Sequence, residues 1–272
     1  MKYKVLVLDL DGTLTNSKKE VSPENLQALI QAQEKGVCVV LASGRPTYGI
    51  APIADLLKLD HYGGYVLSYN GGQIINWKTK SMPCGEGSIL PNEIIAELYN
   101  VSQEEGMNLL SYDGEYIVTE EAENRYVAHE AFLNKMKVRQ CTNFLAETPR
   151  PLPKCLMVGD AEPLAEIEKK LAKRFEGIIS VYRSEPFFLE LVPLGIDKAE
   201  SLKKLLMHLH LTSNEMIAMG DGFNDLSMIK FAGLGVAMSN AQDAVKAEAN
   251  LVTLSNDEHG VAQVIKDYIL ND

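Results

Sequence analysis

The segment VLVLDLDGTLT, from Val5 to Thr15, decides how the rest of the chain is interpreted. Its first four residues are aliphatic and uninterrupted, and the run is too short for a helix, so it predicts a parallel strand covered on both faces. The strand ends in Asp9 and Asp11, followed by Gly12. Unpaired charge at the edge of a core is costly. We therefore expect a positive group to meet these two carboxylates.

Two later segments repeat the pattern of an apolar run that ends in polar residues. The run Val37–Leu41 is followed by Ala42-Ser43-Gly44, and the run Met216–Met219 is followed by the loop GDGFND. Helical patterns separate these strands, which is the alternation of a doubly wound parallel sheet. Ligands of such sheets bind at the carboxyl ends of the strands.

The middle of the chain has a different organisation. Residues 83–192 contain helical patterns separated by short strands and a hairpin around Asp113-Gly114, which favours antiparallel pairing and an inserted α+β domain. Its edges are rich in Pro and Gly. We therefore predict an α/β core formed by residues 1–82 and 193–272 and interrupted by this second domain.

Composition excludes several classes of protein. The 272 residues carry a formal net charge of −11, which argues against a nucleic-acid partner because such proteins usually cluster Lys and Arg. No apolar stretch reaches the length of a membrane span, and no signal peptide is evident, so we expect a cytoplasmic protein with no membrane partner. The four scattered cysteines are expected to be reduced. The oligomeric state is left open between monomer and weak dimer.

The acidic residues of the two motifs predict a metal site. If the strands are parallel in one sheet, the carboxylates of Asp9, Asp11, Asp221 and Asp225 meet at the same edge. Four such charges would repel one another by several kcal/mol unless a cation were bound. Oxygen ligands with no nearby His or Cys favour a hard ion, and we expect Mg²⁺.

A lysine is expected beside these acids. In the segment GIDKAESL, Asp197 can cap a helix, with Glu200 completing a capping box, and Lys198 then lies in the first turn. The helix dipole disfavours a cation there. A role in neutralising phosphate and holding a nucleophilic carboxylate explains the position of Lys198.

Three more residues are suited to bind a phosphate group. Ser43 offers a hydroxyl, and Gly44 offers an unobstructed backbone N–H at a strand end. Asn224 lies at the start of a helix, where free N–H groups favour anions. Together with Lys198, these residues favour a phosphorylated substrate.

The two aspartates that follow the first strand are expected to differ in role. An aspartate with an ordinary pKa is already ionised at pH 7, so Asp9 can attack phosphorus without a general base. Asp11 can protonate the leaving oxygen and then activate water, and we expect its pKa to be raised by neighbouring negative charge.

These residues resemble the four motifs of the haloacid dehalogenase-like (HAD) superfamily. The matching segments are DLDGT from Asp9, LASGR around Ser43, GIDKAESL around Lys198 and GDGFND from Gly220. The large insert and the segment YNGG resemble the Cof-type sugar-phosphatase branch. The resemblance implies a Rossmann-like core with a mobile α/β cap, Mg²⁺ dependence and hydrolysis of small phosphate monoesters.

The resemblance also implies roles for individual residues. Asp9 would be nucleophile and metal ligand, Asp11 would be the acid/base and give the metal its backbone carbonyl, and Asp221 would be the third metal ligand, supported by Asp225. Phosphate would be held by the Leu10 backbone, Ser43, Gly44, Lys198 and Asn224, and substrate contacts are expected from Arg45 and Asn70.

Two other functions are compatible with the same motifs. A phosphotransferase or mutase would pass the phosphoryl group to a sugar instead of water, and a sensor would bind a phosphorylated metabolite without turnover. An intact Asp11 argues against the sensor, which needs no acid/base. Sugar phosphates, nucleotides, flavin phosphates and pyridoxal phosphate all stay open as ligands.

Overall fold

The computed structural model describes residues 2–85 and 87–271. Residues 1, 86 and 272, which fall inside the predicted domains, lie outside the described residues. The chain divides into two compact units. One combines the residues up to 85 with those from Asp197 onward, and the other is Gly87–Ile196. No helix of the described ranges is long and apolar enough to cross a lipid bilayer.

The helices and strands are numbered here in chain order. The strands are β1 (Val5–Leu8), β2 (Cys38–Ala42), β3 (Tyr65–Ser68), β4 (Gln73–Asn76), β5 (Asn108–Asp113), β6 (Tyr116–Thr119), β7 (Lys137–Gln140), β8 (Cys155–Val158), β9 (Ile179–Glu185), β10 (Phe188–Pro193), β11 (Met216–Gly220), β12 (Leu234–Ala237) and β13 (Leu251–Val252). The helices are α1 (Pro23–Glu34), α2 (Thr47–Leu56), α3 (Leu59–Tyr62), α4 (Asn92–Glu104), α5 (Arg125–Asn134), α6 (Phe144–Glu147), α7 (Ala161–Arg174), α8 (Lys198–His208), α9 (Leu226–Phe231), α10 (Asp243–Glu248) and α11 (Gly260–Ile265).

The first unit is built on a seven-stranded sheet in the order β13-β12-β11-β1-β2-β3-β4. Its neighbouring strands are parallel except for the antiparallel pair β3–β4. Leu8 is aligned with Leu41 on one side and Met219 on the other. The three segments that follow these strands therefore leave the sheet at the same level, beside the point where the strand order reverses. The predicted doubly wound fold is confirmed.

Strand β1 is buried on both faces, as its sequence predicts. Val5 and Val7 belong to one apolar cluster, and Leu6 and Leu8 belong to another on the opposite face. All four side chains are fully buried. Each contributes about 1.5–3 kcal/mol of hydrophobic free energy relative to an exposed position, so the strand that precedes Asp9 is firmly anchored.

Helix α8 begins as expected, with one difference at its cap. The Asp197 carboxylate accepts the N–H groups of Ala199 and Glu200, at 2.8 and 3.1 Å. The Glu200 carboxylate does not complete the predicted capping box and pairs with Lys203 one turn further on. The cap nevertheless fixes the first turn, where Lys198 is only 1% exposed.

The second unit contains a six-stranded sheet in the order β7-β6-β5-β8-β10-β9. The predicted hairpin around Asp113-Gly114 joins the antiparallel strands β5 and β6. Strands β6 and β7 are parallel, because α5 carries the chain back across the sheet between them. Val192 and Pro193 stay paired with β9, so the chain leaves the sheet only after the junction that the sequence predicts at residue 192.

Candidate active site

The centre of the site is an ion-pair network around Lys198. Asp9 directly follows β1, is 6% exposed, and donates its backbone N–H to the Met219 carbonyl. The Lys198 Nζ donates to Asp9 Oδ1 at 2.7 Å, to Asp225 Oδ1 at 2.6 Å and to the Ala42 carbonyl at 2.8 Å. One buried ammonium group therefore connects the ends of β1 and β2 with the turn that follows β11.

Asp225 is held from two sides. Its Oδ1 accepts the Lys198 ammonium, and its Oδ2 accepts the backbone N–H groups of Asp221 and Gly222, both at 2.9 Å. Gly220 leaves room for this carboxylate, since a Cβ there would lie 2.4 Å from the Asp225 Cβ. Asp225 thus orients both the lysine and the loop that carries Asp221.

Asp221 lies against the turn that follows β1. The Thr13 hydroxyl donates to Asp221 Oδ1 at 2.9 Å. Gly12 has a φ of +82°, and a Cβ there would lie 2.3 Å from Asp221 Oδ2. Only glycine combines this left-handed backbone with such a close approach. Thr13 has no assigned role in the sequence analysis, although it belongs to the same motif.

The three acids form a cluster that could hold a metal ion. Carboxylate oxygens of Asp9, Asp221 and Asp225 lie within 4.8 Å of one another. When all three are ionised, the Lys198 ammonium leaves an excess of two negative charges. A divalent cation matches that excess, and an all-oxygen ligand set favours a hard ion.

The pKa values of the cluster reflect the crowding of its charges. Burial, reinforced by the charge of Asp225, raises the pKa of Asp9 to about 8, and Lys198 opposes the rise. Burial also raises the pKa of Asp221 to about 6, against the hydrogen bond from Thr13. Burial disfavours the charged form of Lys198, but the two carboxylates outweigh it and raise the lysine pKa. The expectation of an ordinary pKa for Asp9 is therefore wrong for the protein without a metal.

The Asp11 side chain is bound by two cations and takes no part in the acid cluster. Arg45 donates from Nε to Asp11 Oδ2 at 2.8 Å and from Nη2 to Oδ1 at 2.7 Å, and the Lys19 Nζ donates to Oδ1 at 2.8 Å. Burial pushes the Asp11 pKa upward, but Arg45 and Lys19 bring it below its ordinary value. The predicted raised pKa of Asp11 is wrong. The Asp11 carboxylate is close enough to contribute to the raised pKa of Asp221, but it is not one of the three carboxylates whose oxygens lie within 4.8 Å of one another.

The residues expected to bind phosphate or substrate lie along one edge of the site. The Ser43 Oγ accepts the Arg45 N–H at 3.2 Å, and a Cβ at Gly44 would lie 3.2 Å from the Asn70 amide. The Asn224 Nδ2 donates to Asn70 Oδ1 at 3.1 Å. The structure therefore brings these polar groups together, while Arg45, a predicted substrate contact, binds Asp11.

The turn after β1 is fixed by residues that the sequence analysis did not identify. The Asn240 Nδ2 donates to the Gly12 carbonyl at 2.8 Å, and the Asn256 Nδ2 donates to the Thr15 carbonyl at 2.9 Å. The Asn256 N–H donates to Asn240 Oδ1 at 3.0 Å. Both asparagines follow strands of the same sheet. The expectation that functional side chains lie at the carboxyl ends of parallel strands could therefore have identified them.

Leu10 is fully buried, and only its backbone could contact a ligand.

The fold and this site together define a class of α/β enzyme. A lysine-bridged carboxylate cluster lies at the carboxyl end of the central strand, where ligands of such sheets bind. Comparison with known proteins gives the family: a sequence model of haloacid dehalogenase-like hydrolases matches residues 6–265. The chain belongs to this family, and the resemblance drawn from its four motifs is confirmed.

Individual relatives agree over nearly the whole chain. A haloacid dehalogenase-like hydrolase from Bacteroides thetaiotaomicron, solved as a crystal structure, is 56% identical, with a TM-score of 0.95 over 97% of this chain and 99% of that chain. The 5-amino-6-(5-phospho-D-ribitylamino)uracil phosphatase YcsE of Bacillus subtilis is 31% identical over 98% of this chain and 96% of its own. The pyridoxal phosphate phosphatase YbhA of Escherichia coli is 28% identical over 99% and 100%. This chain is a phosphatase of the same family.

Proposed function

We propose that the protein is a Mg²⁺-dependent phosphatase that hydrolyses small phosphorylated metabolites, with sugar phosphates as the first choice, through an aspartyl-phosphate on Asp9. The observation that carries the proposal is the buried Asp9 carboxylate, bonded to Lys198 at 2.7 Å within a three-acid cluster. The four free cysteines are in keeping with a cytoplasmic location. The cap role of residues 83–192 stays a prediction.

The acid cluster fits a magnesium ion. Asp9 and Asp221 are the proposed carboxylate ligands, with the Asp11 backbone carbonyl as a third ligand. Asp225 is better suited to support them, because its two oxygens already accept Lys198 and two backbone N–H groups. Mg²⁺ usually takes few protein ligands and completes its shell with water and substrate phosphate. When bound, the ion would neutralise the charge shared by the carboxylates and the phosphate.

Asp9 is the proposed nucleophile. Its oxygen forms a bond to phosphorus while the bond from phosphorus to the ester oxygen breaks, and the electron pair stays on the leaving oxygen. Lys198 offsets the repulsion between the carboxylate and the phosphate dianion. Because both groups are buried and anchored, little reorganisation is needed when the substrate binds.

Asp11 is the proposed acid and base. Arg45 and Lys19 lower its pKa, so its carboxyl must leave these partners and take up a proton before the first step, in which it donates that proton to the leaving oxygen. In the second step it takes a proton from the water that attacks phosphorus. The second step releases phosphate and restores Asp9. Ser43 and Asn224, which lie beside Asn70 and Gly44, are the proposed phosphate contacts.

The choice of small monoesters is supported by the relatives. Their names describe phosphatases of pyridoxal phosphate and of a phosphoribitylamino uracil, both small monoesters. A panel of sugar, nucleotide, flavin and pyridoxal phosphates, compared by kcat/KM in the presence of Mg²⁺, tests this choice. Product analysis with an added acceptor sugar separates hydrolysis from phosphoryl transfer.

Rapid acid quenching with a ³²P-labelled substrate tests the intermediate. We expect a protein-bound label that hydroxylamine removes, as for an acyl phosphate, and we expect Asp9→Asn to lack it. Asp60→Asn, an exposed aspartate of α3, is the matched control and should keep the label. A label that persists in Asp9→Asn would contradict the proposal, as would rapid phosphate release by the wild type with no label at all.

A further inference from the structure

The turn that follows β3 has an unusual backbone. Tyr69, Asn70 and Gly71 have φ values of +54°, +56° and +100°. Among the residues that the structure describes, no other three in succession share the left-handed region. The conformation is strained for a side chain as bulky as that of Tyr69, which is buried. Such strain persists only where the surroundings impose it, and it is concentrated at functional sites.

The segment after β2 holds one side of this turn. The Tyr69 N–H donates to the Arg45 carbonyl at 3.0 Å, and the Asn70 N–H donates to the Ser43 carbonyl at 2.9 Å. Both acceptors belong to the motif around Ser43 that is proposed to bind phosphate. The turn is therefore fixed relative to that motif by two backbone hydrogen bonds.

Helix α8 holds the other side of the turn. The Ser201 hydroxyl donates to the Gly71 carbonyl at 2.7 Å, and this contact is buried. A Cβ at Gly71 would lie 2.5 Å from the Ser201 Oγ, so the backbone of the turn packs directly on the helix. Ser201 lies about one helical turn after Lys198. The turn is thus anchored to the same helix that carries the central lysine of the site.

These anchors place the Asn70 side chain between two loops of the site. Its Oδ1 accepts the Asn224 Nδ2 at 3.1 Å, and its amide lies against Gly44, where a Cβ would approach it to 3.2 Å. Asn224 is exposed, and the bond to Asn70 limits the rotamers open to it. An amide nitrogen carries two hydrogens. With one directed at Asn70, the other stays available to an anion.

We propose that Asn70 is a positioning residue, which orients the Asn224 amide toward the phosphate group of the substrate. The inference rests on the proposed function, in which Asn224 contacts phosphate. It gives Asn70 an indirect role in place of the substrate contact that the sequence predicts. A hydrogen bond between two neutral side chains adds little to stability, so its main effect is on the direction of Asn224.

A double-mutant cycle distinguishes this role from the alternatives. If Asn70 acts through Asn224, its removal should have no further effect once the Asn224 side chain is absent. A direct contact between Asn70 and the phosphate would instead contribute in both backgrounds. Disruption of the turn would also act in both backgrounds, because it would displace Ser43 and Gly44.

The experiment measures the affinity for inorganic phosphate by titration calorimetry in saturating Mg²⁺. Asn70→Gly removes the amide and readily keeps the left-handed backbone. We expect it to weaken phosphate binding about fivefold in the wild type, the factor that one hydrogen bond of typical net strength represents, and less than about twofold in Asn224→Ala. The value of kcat/KM for p-nitrophenyl phosphate should show the same pattern.

His210→Gly is the matched control. His210 is exposed, has a φ of +56° and follows the end of α8 that is remote from Lys198. This variant introduces glycine at the same backbone conformation, so it should match the wild type in both measurements. Asn70→Ala repeats the cycle if Asn70→Gly does not fold, and melting temperatures establish that a loss of affinity does not come from unfolding.

The outcomes separate this inference from the function on which it depends. Equal losses in the two backgrounds, or no loss in either, would refute the positioning role of Asn70. An Asn224→Ala variant with wild-type affinity for phosphate would also overturn it, because the contact through which Asn70 acts would not exist. A wild type that neither binds phosphate nor hydrolyses any ester of the panel would refute the proposed function itself.

Discussion

Replacing the proposed nucleophile is expected to stabilise the protein when no metal is present. Asp9 is buried beside two other carboxylates, and Lys198 offsets only part of the resulting repulsion. Its pKa is raised from 3.8 to about 8. Asp9→Asn removes the charge and keeps an oxygen that can accept the Lys198 ammonium. We therefore expect Asp9→Asn to have a higher free energy of unfolding than the wild type in EDTA.

The size of the effect follows from the pKa difference between the folded and unfolded states. A carboxyl whose folded pKa is raised favours the folded state in its protonated form. That contribution is complete below the unfolded pKa of about 4 and is lost as the pH rises toward about 8. At about 1.4 kcal/mol per pKa unit, the loss at pH 7 is roughly 4 kcal/mol. The raised pKa already includes the attraction to Lys198, so Asp9→Asn, which mimics the protonated acid, should exceed the wild type in stability by up to roughly 4 kcal/mol at pH 7.

Urea unfolding in EDTA at several values between pH 5 and pH 8 measures this difference. The advantage of Asp9→Asn should widen as the pH rises, because Asp9 of the unfolded wild type is then ionised, whereas the folded state must keep it protonated up to about pH 8. Saturating Mg²⁺ should stabilise the wild type more than the variant. Glu34→Gln, an exposed acid at the end of α1, controls for net charge and should change stability by less than about 0.5 kcal/mol. If Asp9→Asn is less stable at pH 7, or its advantage is independent of pH, the electrostatic reasoning is wrong.

Three further predictions concern the same cluster. Gly12→Ala should weaken Mg²⁺ binding at least tenfold, as measured by titration calorimetry, because the added Cβ would lie 2.3 Å from Asp221 Oδ2. Gly36 has a φ of +90° and open space around it, so the control variant Gly36→Ala should bind Mg²⁺ with unchanged affinity. If both variants bind Mg²⁺ with the same affinity, Gly12 is required only for its left-handed backbone conformation. Lys198→Met should lower the free energy of unfolding by about 3–5 kcal/mol and abolish phosphatase activity, since it leaves buried carboxylates unpaired. A loss of stability below about 1 kcal/mol in a urea titration would contradict the stabilising role assigned to the Lys198 ion pairs. Mg²⁺ binding should release protons and tighten from pH 6 to pH 8.5, because the pKa values of Asp9 and Asp221 are raised, and a calorimetric enthalpy independent of buffer would contradict this.

The sequence was sufficient to predict the position of the acid cluster. Strand β1 has no polar residue among its four, and parallel strands end at a common edge, so Asp9 and Asp221 had to lie close together. The unfavourable position of Lys198 at a helix start was a second signal. Both arguments depend on backbone geometry that recurs in all parallel sheets, which is why they needed no coordinates.

The surroundings of Asp11 could not be predicted in the same way. Its partners depend on the left-handed turn at Lys19 and on the direction of the Arg45 side chain, and the sequence pattern specifies neither. The pKa of Asp9 was missed because burial is a property of the whole core, and the sequence analysis assigned Asp9 the pKa of a carboxyl in water. Strand β7 was missed because its sequence KVRQ is short and mostly polar.

The central place of β1 in its sheet has a consequence for biosynthesis. Asp9 and its lysine partner are 189 residues apart in the chain, and β11, the second neighbour of β1, is made later still. At about 5–20 residues per second, the ribosome needs on the order of ten seconds or more to bridge that interval. Until then one side of β1 lacks its neighbour, and the emerging polypeptide exposes an apolar edge that chaperones and proteases can recognise. The ion-pair network around Lys198 can therefore form only after Asp225 has been synthesised.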